Sequence, residues 1–205
     1  MQDAQSGSWS RESHVSPAML ESVRELNHRF LDLLAIRPSN WSSAGRGLPV
    51  AVSAQVVPLS AAQKGAAANC PYALFDLRFY DDSYWRARLK TAGRWSVADA
   101  PPVDADSLDF VRLALFFAWH VAATPRLAAP LILGMNEVTA AAFRSMTIDC
   151  IPSLAVTEAA HLTARWNYCV PYWSALTDAA ARSNFAGLRR IQLYGLQLAA
   201  AARLS

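Results

Sequence analysis

ALFDLRFYDDSYWRARL (Ala73 to Leu89) and AHLTARWNYCVPYWSAL (Ala160 to Leu176) carry one phrase twice: an Arg, an aromatic, then a Tyr-Trp pair and a Leu. Sliding the chain by 87 positions registers about sixty residues without a gap. Leu26 then meets Leu113, Phe30 meets Phe117 and Pro38 meets Pro125. Gly47 meets Gly134, Leu48 meets Met135, Ala54 meets Ala141, Leu59 meets Met146 and Ser60 meets Thr147. Arg78 meets Arg165 and Phe79 meets Trp166, while Tyr84 and Trp85 need one more residue of shift to reach Tyr172 and Trp173. A single insertion within Tyr168 to Pro171 is the simplest source of that slip. The common offset across a helix, a proline, a glycine, a cap and an aromatic segment predicts an internal duplication.

Upstream of the first copy of this phrase, SPAMLESVRELNHRFLDLLAIRP starts with Ser16 as a cap and Pro17 in the first turn. Its apolar residues recur at helical spacing, its opposite face carries Glu21, Arg24, Glu25 and Asp32, and Pro38 stops it. SNWSSAGRG reads as a loop, LPVAVSAQVV and SAAQKGAAANC as two short helices with Ser60 as the cap between them, and YALFDLRFY as a short strand. TAGRWSVADAPPVDAD, rich in Gly, Pro and Asp, reads as a linker. LDFVRLALFFAWHVAA follows Asp106 or Ser107 and is apolar on nearly all sides, so it is expected to be the central, buried helix. NEVTAAAFRSM and TIDCIPSLAVTEAAHL are two more short helices, TARWNYCV a strand or turn, and SNFAGLRRIQLYGLQLAAAARLS a final helix capped by Asn184.

Expected, then, is a mainly α-helical protein with short β segments, built of a loose N-terminus at 1–15 and repeats at 16–98 and 104–205. The two repeats would imitate a homodimer within one chain. Because the first helix of repeat one is half polar and that of repeat two is not, the second repeat is expected to form the core and the first to pack around it.

The second repeat resembles the FlhD family of flagellar transcription activators over Ser107 to Ala201, and the first more weakly. The carrying features are the Leu133-Gly134-Met135-Asn136 turn after a long helix, a helix pair whose second member opens at Met146 and Thr147, the Arg-aromatic segment ARW (LRF in repeat one), and the closing helix FAGLRRIQLYGLQLAAA. Members of that family are single-copy homodimers that join a partner, FlhC, in a DNA-binding activator. The resemblance therefore implies a transcriptional regulator, double-stranded DNA as a target, a separate FlhC-like partner and a possible higher oligomer. The chain departs from the family in carrying two copies, and it lacks the zinc-binding cysteine cluster of FlhC. Relatives also govern transfer genes of conjugative elements, so flagellar genes are not the only target implied.

Two basic segments follow the two Tyr-Trp pairs. Arg86, Arg88, Lys90 and Arg94 follow the first; Arg182, Arg189 and Arg190 open the final helix after the second, with Gln192 one turn on. Such clusters suit two phosphate tracks, which supply affinity more than sequence reading, while Gln192 is a candidate for a base edge. They also suit plain solvated surface, and an adaptor that docks proteins and not DNA is the alternative reading. The net charge of +3 permits nucleic-acid contact without demanding it.

Catalytic chemistry finds little purchase. The histidines His14, His28, His120 and His161 share no metal-ligand spacing with one another or with Cys, Asp or Glu; His161 and Cys169 are a weak pair. Asp81 and Asp82 read as turn solvation, and Cys150 as a buried thiol. There is no P-loop, G-x-S-x-G or G-x-G-x-x-G, so neither an enzyme nor a cofactor is expected. Three widely spaced cysteines argue against a disulfide framework and fit a reducing cytoplasm. The N-terminal MQDAQSGSWSRESHVSP has no apolar core, which predicts no signal peptide, and no apolar run is long enough for a membrane span.

Overall fold

The computed structural model describes residues 15–36, 48–90, 103–124 and 127–201. Residues 1–14 of the N-terminus expected to be loose, Pro38, Gly47, Pro125, Arg94, the SNWSSAGRG segment and most of the expected linker lie outside them. Helix α1 (Pro17–Ile36) starts where the Ser16 hydroxyl accepts the Met19 amide at 3.2 Å. Then follow α2 (Val50–Val56), α3 (Ala61–Ala68), strand β1 (Phe75–Asp76) and α4 (Asp82–Lys90). The second half runs α5 (Ala105–Ala122), α6 (Ala128–Leu133), α7 (Glu137–Ser145), a 3-10 turn at Ile148–Cys150, α8 (Ile151–Glu158), a 3-10 turn at Ala159–His161, and β2 (Thr163–Ala164). Helices α9 (Val170–Ala181) and α10 (Phe185–Ala201) close it. The protein is mainly helical, with one small antiparallel sheet pairing Phe75 with Ala164 and Asp76 with Thr163.

Capping chemistry places most of these boundaries. Ser60 and Gln63 form a reciprocal capping box at α3, and the Asn136 side chain accepts the Thr139 amide at 2.8 Å to start α7. Gly134 ends α6 in the left-handed conformation at φ 75°. A side chain there would also stand 2.8 Å from the Arg165 guanidinium, so glycine serves both backbone and packing.

Two points differ from the sequence reading, and two segments that it left unassigned are helical. The segment after each presumed strand is helical: α4 and α9 contain the Tyr-Trp pairs. Asp81 caps α4 by accepting the Tyr84 amide at 2.9 Å, and Pro171 sits in the first turn of α9. Helix α5 is not buried all round. Asp109, Leu113 and His120 are exposed along one stripe, with Phe116 and Trp119 half-buried beside it. Arg182 does not open the final helix; it is the C-cap of α9.

The core is shared between halves, where a second-repeat core was expected. Phe30 of α1, Phe75 of β1 and Phe110 of α5 meet with ring centroids 5.0 to 6.0 Å apart. The halves also exchange helices. Helix α4 packs on α7 of the second half, and α9 packs on α2 and α3 of the first, while α1 lies on α3 and α5 lies on α8.

Burial in the two halves matches at two spacings, and not at one constant offset. Every buried position of α1 except Leu31 has a buried counterpart in α5 at a shift of 88, from Met19 and Ser107 to Leu34 and Ala122. At 87, buried Leu26 would face exposed Leu113. The shift is 87 for Val52, Ser53, Val56 and Leu59 against Thr139, Ala140, Phe143 and Met146, all buried. It returns to 88 before the sheet. Arg78 and Trp166 share the left-handed conformation, at φ 58° and 52°. Trp85 Nε1 donates to Leu77 O at 3.2 Å, and Trp173 Nε1 to Arg165 O at 2.9 Å. The spacing of 88 is thus already in place at the sheet, upstream of Tyr168 to Pro171, where the sequence reading put the slip.

Candidate interaction surfaces

The two Tyr-Trp helices stand on polar clusters of opposite character. In the first, Tyr84 OH donates to Glu158 Oε2 at 2.6 Å and Arg88 Nε donates to Glu158 Oε1 at 2.7 Å. Glu158 is fully buried at the end of α8, and Thr157 Oγ1 also donates to it at 3.3 Å. His161 sets its ring edge-on to Tyr84, and the Arg78 guanidinium lies 4.1 Å above the Tyr84 ring centroid. Burial, then the Glu158 hydrogen bond, raises the Tyr84 hydroxyl pKa above its ordinary value.

In the second cluster the corresponding Tyr172 meets a neutral partner, the Tyr72 hydroxyl at 3.1 Å. Tyr72 OH also lies 3.2 Å from the Gln192 carbonyl of α10, which accepts from it. Burial pushes the neighbouring Cys70 thiol up to about 12 and raises both tyrosines. Helix α10 approaches so closely that a Cβ on Gly195 would stand 1.9 Å from the Tyr72 hydroxyl oxygen.

Beside the sheet, Arg165 is buried and donates to the Ile132 carbonyl at 2.9 Å, which also accepts the Ala73 amide at 2.8 Å. Burial raises the Asp76 pKa and lowers that of Arg165, and each charge opposes the other's shift.

The sequence-selected basic residues are dispersed among these elements. Arg86 is exposed on α4 and pairs with Asp82 at 3.0 Å. Arg88 has turned inward onto Glu158, so its charge is committed to the fold. Lys90 is exposed at the end of α4, and Arg182 pairs with Asp178. Arg189 and Arg190 are exposed on α10. Arg189 and Gln192 line a groove of about 630 Å3 with Ala66, Asn69, Phe185, Ala186 and Leu188. A second groove of about 570 Å3 shares Ala66 and Asn69 and continues along Glu21, Arg24, Glu25 and His28 of α1. Phe185 and Leu193 are 75% and 57% exposed, so α10 presents an apolar as well as a basic outer face.

Glu158, Tyr72 and Asp76 escaped sequence reasoning, and Arg165 entered it only as a mark of the repeat. Glu158 was the one visible signal, a lone acid closing the otherwise uncharged run IPSLAVTE. Among the described residues no group of three His, Cys, Asp or Glu side chains could hold a metal ion, and no helix is long and apolar enough to cross a membrane. No protein-family model, curated protein or solved structure matches the chain.

Proposed function

We propose that the protein is a cytoplasmic transcriptional regulator, an activator, built of two tandem FlhD-like units that arose by internal duplication and acting in a DNA-binding complex with a FlhC-like partner. The observation that carries this reading is the reciprocal exchange of helices, α4 onto α7 and α9 onto α2, around the antiparallel β1–β2 pair. That is how an isologous dimer interlocks, with each half contributing the same surface to the other. In this reading one chain supplies the two-fold scaffold that a homodimeric regulator assembles from two.

DNA contact falls to the exposed guanidinium groups of α10, Arg189 and Arg190, with Gln192 beside them. Arg86 and Lys90 contribute a second basic track. The test is retention of promoter DNA by the purified complex. Charge reversal in Arg189→Glu with Arg190→Glu is expected to lower DNA affinity at least tenfold with unchanged partner binding. Unchanged DNA affinity removes α10 from the interface.

A second reading, a docking adaptor that touches no DNA, is favoured by the ion pairs that occupy Arg86, Arg88 and Arg182. A complex that forms with its partner but retains no DNA at low salt would select it.

A further inference from the structure

The two grooves meet over the end of α3, because Ala66 and Asn69 line both. Together they make one cleft with α10 as one wall and α1 as the other. On the α10 wall Phe185, Leu188, Arg189 and Gln192 follow the i, i+3, i+4, i+7 spacing of a single helix face, so all four border the cleft together. Leu188 is buried and seats the helix, while Phe185 is 75% exposed. Among the described residues the side chains of Arg189, Gln192 and Asn69 enter no ion pair or hydrogen bond, so the fold makes no use of their polar groups. On the α1 wall Arg24 pairs with Glu21, and Glu25 with Arg29. His28 Nε2, on the same wall, is buried with no hydrogen-bond partner, so a turn of the ring toward the cleft gives up no bond there.

We propose that this cleft binds a free nucleoside monophosphate. Each part of such a ligand has a partner here. A flat heteroaromatic ring stacks on Phe185 beside the apolar Ala66 and Leu188. Carboxamides donate and accept at once, so Gln192 and Asn69 match the mixed edge of a base, which a plain carboxylate ligand would leave unused. The Arg189 fork takes one phosphate, and the positive end of α10, where Phe185 opens the helix, adds to its pull. A nucleic-acid strand needs a track of cations, and the arginine at the α1 end is already paired, so a single nucleotide is favoured over a strand. The site shares Arg189 and Gln192 with the surface assigned above to DNA, yet it does not rest on that reading. Where both hold, the nucleotide competes with DNA for Arg189.

The probes are adenosine, guanosine, cytidine and uridine 5′-monophosphate, titrated into the full chain by isothermal titration calorimetry. At least one is expected to bind with a Kd of about 0.1 mM or tighter. Arg189→Gln is expected to weaken that nucleotide about tenfold and to leave the matching nucleoside unchanged, which separates a phosphate contact from a structural role. Phe185→Ala is expected to weaken nucleotide and nucleoside alike, and Ala66→Phe to block both by filling the cleft. Arg189 and Phe185 are exposed, and circular dichroism checks that each variant keeps the fold. Failure of all the monophosphates to bind overturns the proposal. So does inorganic phosphate binding as tightly as the nucleotide, an equal loss for nucleotide and nucleoside in Arg189→Gln, or unchanged affinity in Phe185→Ala or in folded Ala66→Phe. A short single-stranded oligonucleotide that binds more tightly than the monophosphate also overturns it, since the occupant is then a strand. Retention of promoter DNA without nucleotide reports separately on the regulator reading, so each can fail alone.

Discussion

Tyr84 donates its hydroxyl to Glu158 across 2.6 Å, joining helix α4 of the first half to the end of α8 in the second. The same carboxylate accepts Arg88 at 2.7 Å and is itself fully buried. A buried carboxylate stripped of partners is costly, and so are the partners it leaves behind. Glu158→Ala is therefore expected to cost about 3–5 kcal/mol in denaturant unfolding. Glu158→Leu combined with Arg88→Met removes both charges, and its loss should fall to within about 2 kcal/mol of the parent. With Glu158→Leu and Arg88→Met also measured singly, additive losses would show that the ion pair does not couple the two helices.

Gly195 holds α10 against the second cluster. Gly195→Ala improves helix propensity by about 1 kcal/mol, yet its methyl would overlap the Tyr72 hydroxyl oxygen and ring. The collision should win, giving a net loss of about 1–3 kcal/mol. In a Tyr72→Ala background the methyl has room, and the same substitution should become neutral or stabilising. A loss that persists there would place the constraint elsewhere.

Alkaline pH should weaken the fold through Cys70, Tyr72 and Tyr172. All three pKa values are raised by burial, Cys70 from 9.0 to about 12. Above pH 9 the unfolded chain releases the Cys70 proton while the folded chain keeps it, so stability falls as pH rises. Each such group contributes a slope of about 1.4 kcal/mol per pH unit between its unfolded and folded values. Unfolding free energies from pH 8 to 11 should bend downward from about pH 9, and Cys70→Ala should flatten the first part of the bend. An identical slope in that variant would mean that the thiol titrates normally in the fold.

Helix α1, the Ser60 box, the Gly134 turn and the helical pair after it were legible because each is written locally, in caps and spacing. Helices α4 and α9 were also written locally, in Asp81 and Pro171, but the sequence reading stopped at the aromatic segment before each and assigned neither. The exposed stripe of α5 could not be read from its residues, because Leu113 and Phe116 look like core until the neighbours are known. Local spacing also hides which half packs on which, and the exchange of α4 and α9 arises only from contacts far apart in sequence. Of the basic candidates, sequence placed Arg189 and Arg190 on an exposed helix, yet it could not foresee that Arg88 turns onto Glu158. That acid lies 70 residues away.

Salt dependence decides whether the proposed DNA-binding surface on α10 is real. The affinity of the complex with its partner for promoter DNA should be measured from about 50 to 200 mM salt, for the parent and for Arg189→Glu with Arg190→Glu. Log affinity is expected to fall linearly with log salt, with a slope shallower by about two phosphate contacts in the variant. Binding that is insensitive to salt, or a slope that the charge reversal leaves unchanged, would contradict it.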